Sequence, residues 1–107
     1  MYEGGKGVPR DYAEALKWYR KAAEQADALA QTRLGFMYEY GKGAPRDFGE
    51  ALKWYRAAAS QGFAEAQTEL GWMYEDGRGV PRDYAEALKW RRKAAAQGYA
   101  TAQESLG

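Results

Sequence analysis

The amino-acid sequence predicts an all-α protein, a solenoid of antiparallel helical hairpins. The main observation is a 36-residue period that starts at Tyr2 and returns at Tyr38 and Tyr74. The same period relates Gly7, Gly43 and Gly79, then Pro9, Pro45 and Pro81, and then Trp18, Trp54 and Trp90. A fixed period of this length indicates a stack of similar structural units rather than one globular core. Each unit also carries one helix-ending loop and one helix-starting cap, which divide it into two helices, A and B.

Helix A is predicted over residues 28–40. Ala30 and Leu34 belong to a set of apolar residues with the spacing of one helix face. The following loop, residues 41–46, contains Gly-x-Gly and then Pro45. Because glycine adopts the positive φ that ends a helix and proline prevents continuation, helix A ends where this loop begins.

Helix B is predicted over residues 47–60. Asp47 with Glu50 three residues later is a capping-box pattern, with aspartate as the N-cap. Trp54 lies on a broad apolar arc, and Gly62 suits the position just beyond the helix. The cap pair recurs as Asp11 and Glu14, and as Asp83 and Glu86.

The same signals divide the whole chain into helices with short connections, so consecutive helices should be antiparallel neighbours. The predicted order is the end of a helix A (1–3), B (11–24), A (28–40), B (47–60), A (64–76), B (83–96) and A (100–106). The first B helix ends in Gln25-Ala26-Asp27 where its copies have Gln-Gly-aromatic. A looser or differently shaped ending is therefore expected there. Arg91 replaces the tyrosine of the other B helices, which predicts that the last B helix faces more water.

Composition excludes several functions. The 107 residues contain no cysteine and no histidine, so disulfides, thiolate or imidazole metal sites and Ser-His or Cys-His catalytic pairs are excluded. No run of about 18 apolar residues is present, so no segment is expected to span a membrane. The net charge is +1 with interleaved signs, which argues against nucleic acid or an anionic membrane surface as a partner. We expect no catalysis, no cofactor and no metal. No signal peptide is visible, and the compartment cannot be read.

The unit that begins at Ala64 reads Ala-x-Ala-Gln-x-x-Leu-Gly-x-x-Tyr-x-x-Gly-x-Gly-x-x-x-Asp-x-x-x-Ala-x-x-Trp-x-x-x-Ala-Ala-x-Gln-Gly. This pattern closely resembles the Sel-one-like repeat, a relative of the tetratricopeptide repeat, over essentially the whole chain. The 36-residue period and the Gly-x-Gly loop distinguish it from tetratricopeptide units of 34 residues. The resemblance implies one repeat array over residues 1–107, folded as a right-handed α/α superhelix. It also implies an adaptor or scaffold in protein–protein contacts.

In the resembling superfamily the A helices line the concave surface, which implies that a peptide or protein partner binds there. The residues predicted for this surface lie opposite the apolar stripe of helix A and differ most between copies. They are Leu29, Thr32, Phe36, Tyr40, Glu65, Thr68, Trp72, Asp76, Thr101 and Glu104. Phe36 and Trp72 are either anchors for the partner or rings buried between neighbouring A helices.

Other recurring features favour structural roles. Gly-x-Gly at residues 41–43 lacks the strand and spacing of a phosphate loop and is interpreted as a helix-ending turn. Glu3, Glu39 and Glu75 form a column that we expect to be solvated rather than to act as an acid–base pair. Arg10, Arg46 and Arg82 form a basic column that could contact phosphates or acidic peptides but that we expect to pair with nearby acids.

The two ends of the chain suggest a further hypothesis. Leu106-Gly107 stops one residue before the point in the repeat at which Met1-Tyr2 resumes. Chains could therefore stack head to tail, each completing the split helix A of the next. The alternative to a binding module is an artificial or excised consensus-like repeat segment with a purely structural role. The near-identity of the copies supports that alternative.

Overall fold

The computed structural model describes residues 12–98, and this part of the chain forms five helices. They are α1 (Tyr12–Ala23), α2 (Ala28–Tyr40), α3 (Phe48–Ser60), α4 (Ala64–Asp76) and α5 (Tyr84–Ala96). Each helix packs on the next along the chain, so α2 lies between α1 and α3, and α4 lies between α3 and α5. These contacts confirm the predicted all-α repeat solenoid, with α2 and α4 as A helices and the others as B helices. The predicted helical segments 1–3 and 100–106 lie outside the described residues.

Asp47 and Asp83 cap α3 and α5 as predicted, whereas Asp11 lies outside the described residues, and the capping box is only half made. The Asp47 carboxylate accepts the N–H of Glu50 at 3.0 Å, and the equivalent bond in the next unit is 3.1 Å. The Glu50 carboxylate does not return to the cap; it accepts the indole N–H of Trp54 at 3.2 Å. The N–H of Asp47 instead donates to the carbonyl of Tyr38 at 2.8 Å. This bond, which Asp83 repeats with Tyr74 at 2.9 Å, ties the starts of α3 and α5 to the ends of α2 and α4.

The core combines alanines with a few large side chains. Tyr55 of α3 is fully buried, and its ring lies where a Cβ on Gly35 of α2 would be only 2.7 Å away. The small residue therefore allows the two helices of one hairpin to approach closely. The other large side chains that are fully buried are Leu34, Leu70, Met73, Thr32 and Thr68.

The Gly-x-Gly loop connects neighbouring units as well as ending helix A. Gly41 ends α2 with φ 68°, as the sequence predicts. The second glycine, Gly43, lies against the start of α1, where a Cβ would be 2.5 Å from the carbonyl oxygen of Tyr12. Gly79 makes the same approach to Phe48, with a separation of 2.8 Å. The second glycine therefore allows each loop to seat on the preceding helix B.

Glutamine side chains also join the units. The amide of Gln31 donates to the carbonyl of Ala23 at 3.1 Å, which links α2 to α1. The amide of Gln61 donates to the Gln31 side chain at 2.9 Å and to the carbonyl of Ala26 at 3.0 Å. The next unit repeats the first two of these bonds with the same lengths through its own glutamines. Buried polar groups are thus paired across the repeat boundary.

The first B helix ends one residue earlier than its copies, at Ala23, as a looser ending would, but the turn that follows is not differently shaped. Ala26 adopts φ 68°, close to the 88° of Gly62 at the equivalent place, so the turn keeps its shape with alanine in a left-handed conformation. Asp27 then acts as N-cap of α2, and its carboxylate accepts the N–H of Ala30 at 3.1 Å. Phe63, its counterpart before α4, makes no side-chain cap bond.

The last helix B faces more water, as expected, since α5 buries two residues where α3 buries five, but this exposure does not lie at Arg91. Its side chain is only 14% exposed and forms an ion pair with Glu75 of α4. Burial lowers the pKa of the Arg91 guanidinium. Greater exposure of α5 occurs elsewhere on the helix, at Tyr84 and Leu88, which are 62% and 39% exposed.

Candidate partner-binding site

The two described A helices, α2 and α4, each have one narrow stripe that their neighbours leave accessible. Because α2 and α4 are each covered by a helix B on two sides, most of their circumference is buried. We call the remaining surface the A-helix face. It consists of Leu29, Arg33, Phe36 and Tyr40 on α2, and Glu65, Glu69, Trp72 and Asp76 on α4. The spacing of four, three and four residues places each set of four on one line along its helix.

Two of the predicted site residues are not on this face. Thr32 and Thr68 are 0% and 2% exposed. The Thr32 hydroxyl donates to the carbonyl of Ala28 within its own helix at 2.9 Å, so its polar atom is satisfied and its methyl group can pack. The residue one place further on, Arg33 or Glu69, takes the central position instead. The predicted Thr101 and Glu104 lie outside the described residues.

Phe36 and Trp72 are both half-buried. The Phe36 ring meets Tyr55 edge-on at 5.8 Å and stacks on Tyr40 at 6.2 Å, and the Arg33 guanidinium lies 5.6 Å from its centroid. Phe36 therefore joins the edge of the core, whereas Trp72 lines an open groove. Leu29 and Tyr40 are 48% and 55% exposed.

The groove lies between the ends of α2 and α4 and measures about 460 Å³. We call it the acidic groove; it is lined by Glu39, Tyr40, Glu69, Trp72, Glu75, Asp76 and Arg78. An adjoining hollow of about 300 Å³ shares Glu39, Tyr40 and Arg78 and adds Arg46 and Phe48. Tyr40, Trp72 and Asp76 were predicted from the sequence. Glu69 could have been found by the same helical spacing, whereas Glu39, Glu75 and Arg78 required knowledge of the neighbouring unit.

Glu39 corrects the expectation of a solvated glutamate column, of which Glu3 lies outside the described residues. It is 3% exposed, accepts the hydroxyl of Tyr55 at 2.7 Å and accepts the guanidinium of Arg78 at 2.6 Å. Burial and the neighbouring Glu39 carboxylate raise the pKa of Tyr55, and the hydrogen bond to Glu39 raises the pKa of Arg78. Helix α3 and the loop after α4 thus cover Glu39, which the sequence of α2 alone does not reveal.

Glu69 is a carboxylate of the acidic groove whose pKa is raised. Partial burial, with smaller contributions from Glu39 and Glu65, raises its pKa from 4.5 to about 7, and the charge of Arg78 partly opposes this shift. Within residues 12–98 the Glu69 side chain forms no ion pair, whereas Glu65 pairs with Arg33 at 3.1 Å. Glu69 is therefore poised to gain from a positive charge placed in the groove.

The basic column does not pair with acids as expected. The Arg46 guanidinium lies 5.2 Å from the centroid of the Phe48 ring, and Arg82 lies 6.0 Å from that of Tyr84. Neither forms an ion pair with another described residue. Each guanidinium covers an aromatic ring two residues further on. Arg10 lies outside the described residues.

Residues 12–98 contain neither a cluster of metal ligands nor a membrane-spanning helix. No three acidic side chains in residues 12–98 lie close enough together to hold a metal ion. None of α1 to α5 has the length and apolar character needed to cross a bilayer.

Stacked hairpins, loops seated on the preceding unit and one accessible stripe per helix A define a helical-repeat protein. The chain belongs to the Sel1 repeat family, whose family model matches residues 1–27, 28–63 and 64–99. A comparison with curated proteins found no match.

Three solved structures are similar to the chain. A Sel1 repeat protein from Oxalobacter formigenes is 46% identical with a TM-score of 0.81, over 84% of this chain and 37% of that one. The protective antigen c5321 of uropathogenic Escherichia coli, which displays an SLR fold, is 46% identical with a TM-score of 0.89, over 96% of this chain and 22% of that one. Cysteine rich protein B of Helicobacter pylori is 27% identical with a TM-score of 0.79, over 83% of this chain and 67% of that one. The chain thus spans well under half the length of the first two.

Proposed function

We propose that the chain is a non-catalytic scaffold whose A-helix face binds a peptide or protein segment. Sel1 repeats are in general protein-interaction modules. The observation that carries the proposal is the acidic groove, because it combines an accessible hollow with the aromatic side chains of Tyr40 and Trp72. Aromatic side chains in such hollows supply much of the binding energy in protein interfaces.

The distribution of sequence differences also supports this face. The core positions of α2 and α4 are nearly the same in the two units, since both helices bury alanine, leucine, methionine and tyrosine at matching places. The face differs at every position: Leu29 is replaced by Glu65, Arg33 by Glu69, Phe36 by Trp72 and Tyr40 by Asp76. Differences concentrated on one accessible stripe of a repeated fold are what recognition of a specific partner requires.

The proposal can be tested by selecting binders from a random peptide library. We expect the selected peptides to lose binding to Trp72→Ala and to Tyr40→Ala. Tyr40 is 55% exposed, so the second variant should fold even if the first is destabilised. Trp18→Ala is the matched control, because Trp18 is 60% exposed and lies on α1, outside the A-helix face. Peptides whose binding survives both groove substitutions would contradict the proposal.

The remaining partner expectations stay predictions. We propose that the chain binds neither nucleic acid nor membrane, which fluorescence anisotropy with labelled RNA or DNA and vesicle sedimentation would check. Head-to-tail association involves residues 1–3 and 105–107, which lie outside the described residues. It would appear as a concentration-dependent sedimentation coefficient, and a monomer at all concentrations would rule it out.

A further inference from the structure

Although the net charge of the chain is small, charge is unevenly distributed between the A helices and the B helices. α4 carries four carboxylates and no basic residue. The three B helices α1, α3 and α5 together carry nine basic residues and only three glutamates. Two of those glutamates, Glu50 and Glu86, accept indole N–H groups of their own helices. The A-helix side is therefore negative at the acidic groove, and the B helices are positive.

The acidic groove already binds one guanidinium, which comes from the chain itself. Arg78 lies between the groove and the adjoining hollow, 2.6 Å from a carboxylate oxygen of Glu39 and 3.6 Å from one of Asp76. Arg91 neutralises Glu75 from the other side. The groove thus has the chemistry to hold a long cationic side chain, and Arg78 and Arg91 leave one of its carboxylates without a cation.

That carboxylate is Glu69, which lies one helical turn from Trp72 on α4. A cation between them would form a charge-assisted bond with the carboxylate and could rest on the indole face. We infer that the occupant of the acidic groove is a segment of a partner protein that places a lysine or arginine side chain beside Glu69 and Trp72. This inference rests on the proposed function and adds the chemistry of the partner.

Charge complementarity favours this occupant over others. A phosphate or carboxylate group would meet Glu39, Glu69, Glu75 and Asp76 at close range, with Arg78 already engaged. A wholly apolar segment would leave the Glu69 carboxylate half-buried and without a compensating charge. A second copy of the chain could offer a basic residue from a helix B, and the test below includes that outcome.

The test uses peptides selected from the random library on the intact chain at low ionic strength. We expect lysine and arginine to be enriched and affinity to fall as salt is raised. Glu69→Gln, which keeps the shape of the side chain, should weaken the selected peptides about five- to tenfold, the effect of one partly screened ion pair. Glu24→Gln is the matched control, since it removes the same charge from an exposed turn after α1 and should leave affinity unchanged.

The outcomes separate this inference from the proposed function. Selected peptides without basic residues, or peptides that Trp72→Ala weakens and Glu69→Gln does not, overturn the inference while the binding face stands. Peptides whose binding is unchanged by Trp72→Ala and by Tyr40→Ala would overturn both the inference and the proposed function. Sedimentation that shows a dimer in the wild type and a monomer in Glu69→Gln would assign the groove to a second copy and overturn the inference.

Discussion

The hydrogen bond between Tyr55 and Glu39 gives the sharpest test of how the groove is built. Tyr55 is 0% exposed, and its hydroxyl donates to a carboxylate that is itself 3% exposed, at 2.7 Å. Tyr55→Phe keeps the ring and removes only the hydroxyl, so the loss of stability reports the bond together with the buried Glu39 oxygen that is left without its donor. A hydrogen bond to a charged group contributes about 1.5–3 kcal/mol, and we expect the free energy of unfolding to fall by that amount. Urea unfolding followed by circular dichroism at pH 7 measures it.

Two controls make this prediction refutable. Tyr84→Phe removes a hydroxyl from a ring that is 62% exposed, and should change stability by less than about 0.5 kcal/mol. Because Arg78 shares the Glu39 carboxylate with Tyr55, Arg78→Gln and Tyr55→Phe should be non-additive by about 0.5 kcal/mol or more. Equal effects of the two tyrosine substitutions, or strict additivity with Arg78→Gln, would refute the proposed network.

Three further predictions concern the turns and the groove. Ala26→Gly should raise, and Gly62→Ala lower, the free energy of unfolding by about 0.5–1 kcal/mol in urea titrations, because both positions have positive φ. Since the folded-state pKa of Glu69 is raised from 4.5 to about 7, the folded state holds its proton more tightly, and stability falls as pH rises through this range. Between pH 4 and pH 8, the free energy of unfolding of Glu69→Gln should therefore rise by about 1–3 kcal/mol relative to that of the wild type in unfolding titrations. A difference between the two proteins that does not change with pH would contradict this. Gly79→Ala should lower the free energy of unfolding by about 2 kcal/mol or more in thermal unfolding. The added Cβ would lie 2.8 Å from the Cβ of Phe48, and the backbone at this position has φ 73°.

The sequence was sufficient for features that depend on one unit. The helix A predicted over 28–40 is α2 itself, and the helix B predicted over 47–60 differs from α3 only by including the cap. Glycines, prolines and aspartates determine these boundaries through local backbone geometry and hydrogen bonds, so they can be read without knowing the neighbours.

Burial around the A helices could not be read in the same way. A helical projection of α2 separates two faces, but α1 and α3 cover it from both sides and leave a single stripe. For this reason Thr32 is buried although it lies opposite the apolar stripe, and Glu39 is buried although it is charged. Arg91 follows the same rule, since the adjacent α4 supplies the glutamate that makes its burial tolerable. These errors share one cause: the partners lie in the next helix or the next unit.

The most direct test is to map peptide contacts on the ¹⁵N-labelled chain by two-dimensional NMR, using hexa-arginine as the titrant. The account predicts that the largest shift changes occur at the indole N–H of Trp72 and at the amides around Glu69. The indole of Trp18, on the outer helix α1, should stay unchanged. Shift changes concentrated at Trp18 and the B helices, or no change at the acidic groove at saturating peptide, would contradict the account.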